Sequence, residues 1–204
     1  MEASDAGSTP KGQATRHEIL RVAAGVFASK GFDQTRMDDI IRAVGLTKGA
    51  IYFHFPSKVQ LAQAVVDEQK SRWLRLAEEQ ILSLDSPAQQ LRGLGDFMIK
   101  AVLSDASAWG IVHLANQLAS VKGHHAGPSP LAAWVDLVSG ILHRGRATGV
   151  FTFPGNPTDV ATLIIAAFDG LKSVTNALDP ADAEAFERRA ELLLDLFDQQ
   201  LITK

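Results

Sequence analysis

The sequence predicts an all-α protein in which three short helices precede a six-helix body. Three observations carry that prediction. Apolar residues recur three and four positions apart along most of the chain, the spacing of one face of an α-helix. Proline and glycine clusters fall between these periodic stretches and cut them to helix length. Strand-like alternation is confined to a few residues around Val150 to Phe153.

The elements follow in order. Residues 1–14 are small, polar and interrupted by glycine and proline, so they predict a disordered arm. Ile19, Val22, Ala23, Val26 and Phe27 set the first helix over about 15–30, and Gly31 stands where it should stop. Thr35 offers a hydroxyl cap to a second helix, with Asp38 three residues on; Met37, Ile40, Ile41 and Val44 continue it to Gly45. Thr47 caps a helix of one to two turns that Pro56 closes, giving two short helices around a glycine turn, a helix-turn-helix. Ser57 then caps a long helix to about residue 82. Ser86-Pro87, the loop from Lys122 to Pro130, Phe153 to Pro157 and Asp179-Pro180 delimit five more, at about 86–104, 106–120, 130–148, 157–177 and 180–201.

Composition narrows the class. The 204 residues contain no cysteine, which removes disulfides, thiolate metal sites and cysteine nucleophiles and fits a reducing cytoplasm. Apolar runs such as Ala161 to Phe168 fall far short of the ~20 residues of a membrane span, and the start does not resemble a signal peptide, so no membrane association is expected. The net charge of −3 hides an asymmetry. Residues 1–58 hold eight basic against six acidic side chains, whereas the remainder holds 12 against 17. A basic head on an acidic body is the polarity expected if only the head meets nucleic acid.

The segment from Gly45 to Lys58 carries the chemistry. Ile51 and Phe55 fall on one side of the third helix, to seal it onto the first two, and Thr47, Lys48, Tyr52 and His54 fall on the other. Gly49 and Ala50 are small enough for the helix start to enter a major groove. Lys48 suits a guanine edge and Ala50 a thymine methyl, the contacts that read sequence. Thr47, Tyr52, His54 and Lys58 suit phosphate oxygens, with Arg36 and Thr35 clamping the opposite backbone; Phe53 completes the DNA-binding set.

Tyr52-Phe53-His54-Phe55, followed by Ser57-Lys58-Val59-Gln60-Leu61, resembles the signature of the TetR family, and the likeness extends back through Gly31-Phe32 to Ile19. It implies a three-helix N-terminal DNA-binding domain over 15–58 and a six-helix ligand-binding and dimerisation domain over 59–204, in a homodimeric repressor of double-stranded operator DNA. A narrower resemblance, to the γ-butyrolactone autoregulator receptors, rests on the run from Tyr52 to Gln69, on Pro130 to Trp134 and on Gly149-Val150-Phe151. It implies that Trp134 faces a small-molecule effector. Family regulators of efflux or lipid metabolism, with xenobiotic or acyl ligands, share every DNA-side expectation. A ligand-binding protein without DNA activity is a further alternative.

Trp134, Trp109, Phe97, Ile111, Leu114, Val138 and Phe168 have the composition of an apolar ligand pocket, and equally of an ordinary core. The resemblance assigns the dimer interface to the last two helices. Their apolar stripes are Val160, Leu163, Ile164, Ala167, Leu171 and Val174, then Phe186, Ala190, Leu193, Leu194, Phe197 and Leu201. His124-His125, with His113 and His143, lack acidic partners at ligand spacing and read as solvated rather than metal-binding. Ser107 and Ser139 lack nucleophile-elbow glycines, and no phosphate-binding glycine loop occurs, so neither a catalytic site nor a cofactor is expected.

Overall fold

The computed structural model describes residues 9–104, 106–121, 129–179 and 182–202, apart from the side chains of 104, 106–109 and 183. Among the described residues nine helices run α1 (Pro10–Gln34), α2 (Met37–Val44), α3 (Lys48–His54), α4 (Lys58–Gln80), α5 (Pro87–Ser104), α6 (Ala106–Ala119), α7 (Pro130–Ala147), α8 (Pro157–Leu178) and α9 (Ala183–Leu201). Strand-like pairing among them is one antiparallel bridge, Phe151 to Ile202.

Local chemistry sets most of the boundaries. The Thr9 hydroxyl accepts from the Gly12 amide at 3.2 Å, and Pro10 supplies a pre-set first turn. Residues 10–14 are therefore helix and not the tail of a disordered arm; residues 1–8 lie outside the described residues. Gly31, at φ 74 and ψ 168, breaks α1 and leaves one further turn to Gln34. Ser57 Oγ accepts from the Gln60 amide at 3.2 Å to start α4. Ser86 and Gln89 cap each other at the start of α5, with the Gln89 amide on Ser86 Oγ and the Ser86 amide on Gln89 Oε1, both at 3.2 Å. Asn156 opens α8 and Asp182 opens α9 through side-chain oxygens that accept from the amides of Asp159 (2.8 Å) and Ala185 (2.9 Å).

The chain divides into two compact units, Met1–Arg72 with Ala106–Ser129, and Trp73–Asp105 with Pro130–Lys204. In the first, α6 packs along α1, and α2 closes against α1. Ile19, Ala23, Phe27, Ile40, Ile51, Phe55 and Leu61 are buried, as are Ile111, Leu114 and Leu118 of α6. In the second, α7 packs on α8 and α5, and α9 packs on α5 and α8. Arg92 of α5 fastens α9 through Asp195 at 2.6 Å and Asp198 at 3.1 Å. A division at residue 58 coincides with neither unit, because α4 contributes to both and α6 belongs with α1.

Candidate nucleic-acid interface

The two-helix unit is built around Gly45. Its φ of 73 is a left-handed conformation that ends α2 and turns the chain toward α3, and its amide donates to Ile41 O at 3.1 Å. The Thr47 hydroxyl accepts from the Ala50 amide at 3.3 Å and starts α3. Ile51 is 0% and Phe55 3% exposed, so one edge of α3 is fixed in the core. Arg16 lies over the Phe55 ring at 5.1 Å.

The opposite edge is open. Thr47, Lys48 and Gly49 are exposed, Ala50 and His54 half-buried, and Tyr52 and Phe53 are 36% and 57% exposed. Lys48 Nζ sits 5.7 Å over the Tyr52 ring, one turn on, and His54 meets Phe53 edge-on at 5.2 Å. A cation, a hydroxyl and two aromatic rings thus share the face expected to meet DNA. Exposed Arg36 stands at the start of α2, where its amide donates to Asp39 Oδ2 at 3.0 Å.

Two expected contacts are corrected. Thr35 is 1% exposed, and its hydroxyl donates to Gly31 O at 2.6 Å, so it closes the α1 break and cannot reach a phosphate. Nor does it cap α2, whose N-cap is Arg36 with Asp39 as acidic partner. Lys58 Nζ donates to Phe32 O at 2.8 Å and Thr35 O at 2.9 Å, 4.2 Å over the Phe32 ring. Two of its three donors are thus held by carbonyls at the end of α1. The hint available in the sequence was Gly31, which announces unpaired carbonyls near a lysine that starts the next long helix.

The expected ligand residues separate into groups. Trp134, 6% exposed, has ring centroids at 6.0 Å from both Phe97 and Trp73. Trp73, the third ring, is one the sequence did not single out; its helical phase on α4 is the signal that marks it as inward. Val138 and Phe168 instead line a small apolar cavity of about 20 Å³, with Leu94, Met98, Ile164 and Leu194, and Arg92 and Asp198 beside it. Ile111 and Leu114, each 2% exposed, belong to the first unit. The side chain of Trp109 lies outside the described residues, as do His124 and His125. No group of three or more metal-ligating side chains occurs among the described residues, and Ser139 Oγ shares a hydrogen bond with Thr158 Oγ1 at 3.0 Å.

Two short helices about a left-handed glycine, one edge sealed and the other polar and aromatic, define a helix-turn-helix protein of the kind that docks on duplex DNA. The chain belongs to the tetR family of bacterial regulatory proteins, whose profile matches residues 19–65. The A-factor receptor protein of Streptomyces griseus is 32% identical over 164 residues, 80% of this chain and 55% of that protein. The chain spans about half the length of the curated relatives it matches. A structure solved as the molecular basis for control of antibiotic production by bacterial hormones is 32% identical, covering 93% of this chain and 98% of that one with a TM-score of 0.78. CprB of Streptomyces coelicolor, solved with its operator sequence, has the same fold: 24% identity, 94% of this chain and 90% of that one, TM-score 0.76. No helix among the described residues is long and apolar enough to cross a membrane.

Proposed function

We propose that this chain is a ligand-responsive transcriptional repressor, cytoplasmic and non-enzymatic, whose dimer holds a palindromic operator and releases it when a small γ-butyrolactone-like effector binds. The observation that carries the reading is α3, anchored by Ile51 and Phe55 while Thr47, Lys48, Gly49, Tyr52 and Phe53 stand exposed. Lys48, Gly49 and Ala50 read bases, and Arg36, Thr47, Tyr52, Phe53 and His54 position the helix on the backbone. Two recognition helices roughly 34 Å apart fit successive major grooves.

Dimers are typical of the family, and exposed apolar residues on α8 and α9 support that assembly here. Leu163 and Val174 are 66% and 55% exposed and Leu178 66%, on one stripe of α8; Leu192 and Leu196 on α9 are 60% and 50%. The effector class is supported by likeness to the A-factor receptor protein and by the aromatic cluster at Trp134. An indole face packs a lactone or acyl chain while its N–H holds one oxygen.

Selection of duplexes from a random library tests the DNA role. The expected result is an enriched palindrome, bound about 10- to 100-fold more weakly by Lys48→Ala; absence of an enriched site removes the repressor reading. Thermal denaturation with γ-butyrolactones tests the sensor. Stabilisation that Trp134→Ala abolishes is expected, and stabilisation by hydrophobic xenobiotics or acyl compounds alone would assign the chain to the other regulator class.

A further inference from the structure

The break in α1 creates a polar problem that a distant helix solves. At Gly31 the helical ladder is interrupted, and the Phe32 amide donates instead to Oε1 of Gln117 on α6, at 2.9 Å. Gln117 Nε2 lies 3.5 Å from where a Gly31 side chain would begin, so the carboxamide lies against the bare glycine. The carbonyl of the same residue, Phe32, receives Lys58 Nζ from the start of α4 and the Thr35 amide at 3.3 Å. One residue therefore carries α6 on its N–H and α4 on its C=O, directly ahead of α2. Elsewhere α6 lies close on α1, since a Cβ at Gly110 would stand 3.1 Å from that of Ala28.

We propose that Gln117 is a positioning residue for DNA reading: its carboxamide fixes the Phe32 peptide, and with it the angle at which α2 and α3 leave α1. The elements concerned all lie in the first compact unit. Asp39 of α2 pairs at 3.2 Å with Lys30, the residue just before the break, and Ile40 is buried, so α2 is held close beside that joint. A ligand that displaced α6 would act on the same peptide. The proposal rests on the DNA-reading assignment above.

The test uses the full-length protein and the duplex enriched by selection. Gln117→Leu keeps the volume and removes the acceptor, whereas Gln117→Glu keeps an acceptor oxygen at the same reach. Far below the melting temperature, Gln117→Leu is expected to bind the duplex about tenfold more weakly, and Gln117→Glu within about twofold of wild type. Val112→Ala, a buried change on the same helix, is expected to lower the melting temperature and leave affinity unchanged. Amide exchange gives a readout without DNA: Phe32 is expected to be protected in the wild type and unprotected in Gln117→Leu. Gln117→Asn, too short to reach, replaces the leucine variant if that does not fold, with the same expectations. Wild-type affinity in Gln117→Leu, an equal loss in Val112→Ala, or an unprotected Phe32 amide in the wild type overturns the proposal. If no duplex is enriched from the library, the DNA-reading assignment fails first and this one falls with it.

Discussion

Lys58 and Arg36 are both cations of the first compact unit, yet their surroundings give them different tasks. Lys58 Nζ is shared between two carbonyls under 3 Å away and rests on the Phe32 ring, while the Arg36 side chain stands in solvent at the start of α2. Counterion release counts only cations that meet phosphate. Arg36→Ala is therefore expected to reduce the slope of log affinity against log salt by about one, and Lys58→Met to leave it unchanged. Lys58→Met should instead cost about 1–3 kcal/mol of folding stability, read by urea denaturation, because two carbonyls lose a charged donor. A slope change in Lys58→Met would return that residue to the interface.

Between α1 and α2, Asp39 is the fastening. Its carboxylate accepts from the Arg36 amide at 3.0 Å and pairs with Lys30 at 3.2 Å and Arg42 at 2.7 Å. Led by the backbone hydrogen bond from Arg36, and then by Lys30, these contacts lower its pKa from 3.8 to about 2. A depressed folded-state value means that the ionised carboxylate favours the native state. Its contribution is complete above the unfolded value of 3.8 and disappears as pH falls from there through about 2. Asp39→Asn should thus be less stable than wild type by a constant amount near neutrality, and the two unfolding curves should converge below pH 4. The helix itself was legible from Met37, Ile40, Ile41 and Val44, but its cap fell one residue later than Thr35. Periodicity fixes the phase of a helix; the burial of Thr35 against the broken end of α1 chose which residue opens the next one.

At the scale of the whole molecule, the predicted dimer depends on which faces of α8 and α9 remain open. Of the expected stripes, Leu163 and Val174 are exposed, but Ile164, Phe186, Ala190, Leu194 and Leu201 are buried. The exposed apolar residues of α9 are Leu192 and Leu196, one turn apart. The double variant Leu192→Glu/Leu196→Glu should sediment as a monomer. It should also bind the palindrome at least about 100-fold more weakly, since a tethered second head supplies the effective concentration for the second half-site. A dimer of full affinity would place the interface elsewhere.

The sequence by itself determined the nine helices found among the described residues, the glycine turn and the edge of α3 that faces outward. These follow from side-chain spacing, capping hydroxyls and left-handed glycines, whose energetics are settled within one or two turns of chain. The corrections arise where a residue's partner is distant along the chain: Lys58 with Phe32, Gln117 with the same peptide, Trp73 with Trp134, and α6 with α1. An apolar stripe states that a helix face will be covered without saying by what, and a lysine states a charge without saying which oxygens surround it. Only the tertiary structure decided that α6 joins the helix-turn-helix unit and which stripe of α9 became core, because burial is settled by the neighbour that reaches a face first.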